Sequence, residues 1–263
     1  MHDMPLNQAV GLVGLGAAES PQLLAVVSHG DPRTELPLLW QLSTALSQLG
    51  YGVTVLDANI GESAHNPGLQ QLLDYQFGHG PVAADGPEWN VLPSAQGIHT
   101  LCNLVAKPAQ RLQRLGDVFQ TNGVVVLYAG VEPLSKLLAR TELRPLLSIS
   151  GEKNALMTTY LALKRLLRNA RLEPTILNMM ADGTEIQSGV GGVAKALSEC
   201  AKNFLDYSVQ AIRIDPAQPE AQLDADMRRL AARLLENALP LRSNVPGHTG
   251  FGNSGFREMS RSH

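Results

Sequence analysis

The residues with most chemistry to offer lie in the stretch Ser28-His29-Gly30-Asp31-Pro32-Arg33-Thr34-Glu35. It follows an apolar run, Leu23 to Val27, and precedes a helical pattern of Leu38, Leu39, Leu42, Leu46 and Leu49 that Gly50 ends. A strand-to-helix loop of this kind is where an open α/β sheet binds anions, because backbone amides converge at the helix start. This loop has one glycine, no lysine and two carboxylates, whereas a phosphate cradle needs bare amides and positive charge. His29 and Asp31 have the residue types of an acid/base pair, but a proline-containing polar turn accounts for them equally and no nucleophile accompanies them.

A second chemical position follows the apolar strand Val53 to Leu56, which delivers Asp57 and Asn59 to its carboxyl end. Asp57 reads as a metal-organising carboxylate or, more simply, as a helix cap and strand-end acceptor. Asn178, at the end of a later strand, reads as a turn former. His29, His65, His79 and His99 share no helical face, so no metal site is expected. Cys102 and Cys200 lack metal spacing and read as reduced thiols.

The elements that must position these residues alternate along the chain. Strands are expected at Trp89 to Leu92, Val124 to Tyr128, Pro145 to Ile149, Thr175 to Met180 and Ser208 to Ile214. Helices are expected at Pro67 to Tyr75, Ile98 to Phe119 divided by Pro108, Leu134 to Ala139, Glu152 to Asn169, Gly192 to Phe204 and Pro219 to Ala238. Such alternation gives a doubly wound, mostly parallel α/β sheet in a single domain. Residues 1–20 are expected to form an amphipathic helix and linker, 21–239 the α/β domain, and 240–263 a disordered tail.

With 263 residues and a net charge of -3 spread along the chain, there is no electrostatic footprint for nucleic acid. No apolar run approaches the ~20 residues of a membrane span, and no signal-peptide pattern opens the chain, so a cytoplasmic protein is expected. The last helix carries Leu223, Met227, Leu230, Leu234 and Leu235 beside Arg228, Arg229 and Arg233. That stripe suits peripheral contact with the inner face of the plasma membrane, but Asp224, Asp226 and Glu236 offset the charge and packing on the sheet is the better reading.

The run Leu49-Gly50-Tyr51-Gly52-Val53-Thr54-Val55-Leu56-Asp57-Ala58-Asn59-Ile60-Gly61 resembles the second-strand signature of the MinD/ParA-type deviant P-loop ATPases. Three later stretches are similar to the flagellar-number branch of that superfamily, the FlhG/FleN/YlxH proteins: Glu152 with Tyr160, Lys164 and Leu166; Asn178-Met179-Met180; and Phe204-Leu205. Asn7-Gln8-Ala9-Val10-Gly11-Leu12 is close to the motif that precedes the P-loop domain in that branch. The resemblance implies a P-loop NTPase-like fold and places a vestigial nucleotide site at Gly30, Arg33, Asp57, Asn59 and Asn178. It also implies that Gln8, Ala9 and Leu12 dock on a signal-recognition-type GTPase, FlhF, whose active site Gln8 helps complete, and that flagellar switch or transcription-regulator proteins are further partners.

The sequence departs from the pattern at decisive positions. Aligned without a gap on the family's phosphate loop, Gly30 takes the signature-lysine position, Glu35 the phosphate-binding lysine and Leu36 the magnesium-binding threonine. Tyr128 takes the aspartate that ends the third strand of the family. These losses remove the charge, the metal ligand and the water-positioning carboxylate, so no catalytic residue and no cofactor is expected. The expected function is a non-catalytic, MinD-like regulator of flagellar number and placement. The alternative is an active ATPase with an atypical phosphate loop serving polar localisation or secretion, with ATP and Mg²⁺ as cofactors and Arg33 supplying the missing charge.

Overall fold

The computed structural model describes residues 20–75, 89–119, 123–149, 155–179 and 192–242. In chain order the elements are β1 Gln22–Ser28, α1 Pro32–Gln48, β2 Val53–Asp57, α2 Leu69–Tyr75, β3 Trp89–Pro93, α3 Ala95–Asn103, α4 Pro108–Val118, β4 Val124–Gly130, α5 Val131–Leu138 and β5 Leu146–Ile149. There follow α6 Ala155–Arg165 with a π-helical turn Leu166–Ala170, β6 Thr175–Asn178, α7 Gly192–Leu205, β7 Ala211–Arg213, α8 Glu220–Leu235 and β8 Leu239–Pro240. Residues expected to matter at the N-terminus, Gln8, Ala9 and Leu12, lie outside the described residues, as do Glu152 and most of the 240–263 tail.

The sheet runs β3-β2-β4-β1-β5-β6-β7, all parallel, with β8 antiparallel to β1. β5 meets β1 at Val26, and β8 meets the same edge lower down, at Gln22 and Leu23. Sheet pairing thus takes in Pro240, one residue past the expected boundary, and Leu241 behind it is buried.

Buried apolar residues alternate between two cores because a strand shows successive side chains to opposite faces. Leu23, Ala25, Val27, Val125, Leu127 and Ala129 enter one core; Leu24, Val26, Val124, Val126 and Tyr128 enter the other. The second core is covered by α1 and α8, which pack on each other. Met227, Leu230 and Leu234 are its contribution from α8, so the apolar stripe of that helix faces protein. Among the described residues no helix is long and apolar enough to cross a membrane.

Three expectations change in detail. The stretch read as a loop through Glu35 becomes helix at Pro32, because proline fits the first helical position, where its missing N–H costs nothing. Pro108 likewise opens α4 after a break at residues 104–107. The strand expected from Ser208 to Ile214 is only Ala211–Arg213, and the one expected to reach Met180 ends at Asn178.

Candidate functional site

Strand order brings the ends of β2, β4, β1 and β5 side by side above α1. Tyr128 is in register with Val26 on one side and Asp57 on the other, and Leu146 of β5 is in register with Val26. Tyr128, Asp57, Ser28 and Ser148 share the strand parity of the core beneath α1. Asn178 has the parity of Ile176, which belongs to the opposite core. The structure therefore does not bring Asn178 to the face of the sheet that carries the loop.

Glu35 sits in the first turn of α1 and is fully buried. Its Oε1 accepts the backbone N–H of His29 and of Asp31, each at 3.0 Å. Gly30 between them adopts φ +93°, a left-handed conformation that glycine enters without strain and that lets both amides face one oxygen. Oε2 accepts the hydroxyl of Tyr128. A carboxylate at this position is also favoured by the positive end of the α1 dipole. The loop amides, the helix start and a strand-borne hydroxyl thus form an anion site, and the anion in it is the protein's own.

The His29 ring completes the arrangement. Nδ1 lies 3.4 Å from Glu35 Oε1, and Nε2 lies 3.0 Å from the Ser148 carbonyl oxygen and 3.2 Å from Ser148 Oγ. A carbonyl oxygen only accepts, so Nε2 donates to it. Nε2 thus ties the loop to β5 while Nδ1 lies against Glu35, and Asp31 meets the same carboxylate through its backbone N–H. The Tyr128 phenol is pushed well above its usual range, first by burial and then by its hydrogen bond to Glu35; a hydrogen bond with Ser28 opposes the shift, and the charges of Glu35 and Asp57 add to it.

Of the other expected site residues, Asp57 is buried and its Oδ1 accepts both the backbone N–H (2.8 Å) and the side-chain N–H (3.0 Å) of Asn59. That is the strand-end acceptor reading. Asn59 and Gly30 are exposed at the mouth of the site, and Arg33 is exposed on the first turn of α1. Leu36 is half exposed beside it. No group of three or more His, Cys, Asp or Glu side chains among the described residues is arranged to hold a metal ion.

Sequence reasoning passed over Glu62. It is buried, and its carboxylate accepts N–H groups of Gln70 (3.2 Å), Gln96 (2.7 Å) and Gly97 (2.9 Å), holding the starts of α2 and α3 together. Its position just after Gly61 signals a turn, but nothing local identifies partners more than thirty residues away.

No protein-family model and no curated protein matches the chain. Solved structures do. A plasmid partition protein from Borrelia burgdorferi is 12% identical with a TM-score of 0.54, covering 82% of this chain and 99% of its own. Cobyrinic acid a,c-diamide synthase from Mycobacterium smegmatis, with bound ADP and magnesium, is 14% identical with a TM-score of 0.53, covering 82% of this chain and 94% of its own. A putative plasmid partition protein from Borrelia burgdorferi B31, bound to AMPPNP, is 14% identical with a TM-score of 0.50, covering 83% and 98%. With a parallel sheet in this strand order and helices on both faces, the chain has the α/β fold of these plasmid partition proteins and of the cobyrinic acid a,c-diamide synthase.

Proposed function

We propose that this protein is a MinD-like regulator that does not hydrolyse ATP and works through protein contacts. The observation behind this reading is the Glu35 carboxylate seated on the His29 and Asp31 amides and on the Tyr128 hydroxyl. A magnesium nucleotide does not fit this donor set. Its phosphates would have to displace a carboxylate of their own sign, and two such charges about 4 Å apart repel by about 4 kcal/mol at an effective dielectric near 20. Leu36 offers a metal no oxygen, Tyr128 replaces the third-strand carboxylate, and Asp57 Oδ1 is engaged by Asn59. In this reading Gly30, Arg33, Asp57 and Asn59 are what is left of a nucleotide site, while Asn178 has the parity of the opposite core.

The sequence resemblance to the flagellar branch supports the finer reading, control of flagellar number and placement from the cytoplasm. There the segment bearing Gln8, Ala9 and Leu12 engages an FlhF-type GTPase, with flagellar switch or transcription-regulator proteins as further partners. The rival is an ATPase with an atypical loop, in which Arg33 replaces the lysine. Isothermal titration with MgATP separates them: no binding below millimolar concentration is expected, and a micromolar dissociation constant overturns the non-catalytic reading. A pull-down of the GTPase with and without residues 1–20 tests the partner; equal capture by both forms removes the role of Gln8.

A further inference from the structure

At the opposite end of the sheet from the Glu35 loop is a cavity of about 560 Å³ between α4, the loop after α5 and the last described residues, 239–242. Its size falls within the range of small-molecule sites, about 300–1,000 Å³. The walls are aliphatic, from Pro108, Leu112, Leu239 and Leu241, and the described lining contains no aromatic ring. Three cations line it as well: Lys107, Arg140 and Arg242. No carboxylate is among the described lining residues, and none of the three cations has an ion-pair partner among the described residues. Glu142, next in the chain to Thr141, lines a separate cavity with Arg144, Arg171 and Glu173.

Two of these cations are held by their backbones. Arg140 adopts φ 63°, and its N–H donates to the Ala170 carbonyl at 2.9 Å. The Arg242 carbonyl presses on α4 at Gly116, where a Cβ would come within 2.8 Å of it. Leu241 behind it is buried, and its N–H donates to the Pro21 carbonyl at 2.8 Å. Aliphatic walls without an aromatic face favour a hydrocarbon chain over a stacked ring or base. Guanidinium groups with no ion-pair partner among the described residues favour a carboxylate or phosphate head, which they bind with two parallel hydrogen bonds.

The geometry points to this cavity as a binding site for a single-chain anionic amphiphile, with the acyl chain against Leu112, Leu239 and Leu241 and the head between Arg140, Arg242 and Lys107. The site is independent of whether nucleotide binds at the Glu35 loop.

The test is isothermal titration of the full chain with sodium laurate below its micelle-forming concentration. Saturable one-to-one binding at micromolar concentration is expected, weaker for octanoate by on the order of a hundredfold because four methylenes are lost. The double variant Arg140→Gln/Arg242→Gln should weaken laurate binding at least tenfold, and Ala109→Trp, which fills the cavity without changing charge, should abolish it. Both should melt at the wild-type temperature, since the substituted side chains are exposed. Dodecyltrimethylammonium, with the same tail and the opposite charge, should not saturate. Dodecyl phosphate is the second arm: tighter binding than laurate assigns a phosphate head, and tighter laurate binding a carboxylate head. Laurate that fails to saturate, that binds both variants as well as wild type, or that binds no better than the cationic amphiphile overturns the proposal.

Discussion

The phenol of Tyr128 donates a hydrogen bond to the carboxylate of Glu35, 93 positions earlier in the chain, with both side chains buried. They are the two positions at which the sequence resemblance leads one to expect a lysine and an aspartate. Read along the chain these are two separate departures; in space they are one contact. The carboxylate has taken over the loop amides, and the hydroxyl on the neighbouring strand supplies its remaining donor.

Disrupting that contact should be costly. Tyr128→Phe removes a hydrogen bond to a charged, buried acceptor and should lower stability by about 1.5–3 kcal/mol. Glu35→Ala, which also leaves the His29 and Asp31 amides without their acceptor, should cost about 3–5 kcal/mol. Urea unfolding of both single variants and the double variant should give a coupling energy of about 0.5–3 kcal/mol. Additive effects would mean that the two residues do not interact.

Stability should fall at alkaline pH. The Tyr128 phenol is held above its ordinary range in the folded protein, whereas in the unfolded chain it ionises near pH 10. The unfolded state therefore binds fewer protons once the pH passes about 10, and stability is lost as pH rises toward the folded value. Burial raises the Cys102 thiol too, so the decline should begin near pH 8.5, and Tyr207, raised chiefly by burial, adds to it above 10. Urea midpoints from pH 8 to 11 measure the slope. Tyr128→Phe should flatten it above pH 10, and an unchanged slope would count against the buried phenol.

Glu62 should act as a structural clamp. Glu62→Ala would strand three N–H groups at the starts of α2 and α3 and is expected to cost about 2–4 kcal/mol. Amide hydrogen exchange should show lost protection concentrated in those two helices. Loss spread evenly over the sheet would contradict the clamp.

Gly68→Ala should be more damaging than an ordinary glycine change. A Cβ at Gly68 would lie 2.0 Å from the Pro93 carbonyl oxygen, which belongs to β3 and cannot rotate away. A fall in melting temperature of several degrees is expected for Gly68→Ala. Gly52, with open space around its Cβ position, is the control and should tolerate alanine.

The α8 helix separates packing from surface charge in the same way. Leu230 is 2% exposed, and Leu230→Ala should cost about 2–5 kcal/mol. Arg229, exposed and paired with Asp226 at 2.5 Å in the preceding turn, should change stability by less than about 1 kcal/mol when replaced by alanine. Denaturation of the two variants side by side checks which face of the helix holds the fold.

Most of the fold was legible. Apolar runs and helical spacing placed β1, β2, β4, α7 and α8 close to their observed ends, because hydrophobic patterning is a local property of the chain. The start of α1 was missed by the reading that ran the loop through Glu35, although Pro32 is a helix-opening signal. β8 was missed because Leu239 and Pro240 form too short a pair to show a period. At the site, the sequence identified Glu35, Tyr128 and Asp57 as departures or remnants and left His29 open between an acid/base partner of Asp31 and part of a polar turn; its ring lies against Glu35 and Ser148.

By itself, then, the sequence determined the α/β class, the parallel sheet and the lack of lysine in the first strand-to-helix loop, since composition and period need only neighbouring residues. The tertiary structure decided what those residues do. Strand order β2-β4-β1-β5 sets Tyr128 against the helix that carries Glu35 and Ser148 beside His29, and no local pattern encodes which strands become neighbours. Burial then makes the pairing necessary, because a carboxylate withdrawn from water must find donors, and the loop amides and the Tyr128 hydroxyl are the ones the fold puts within reach.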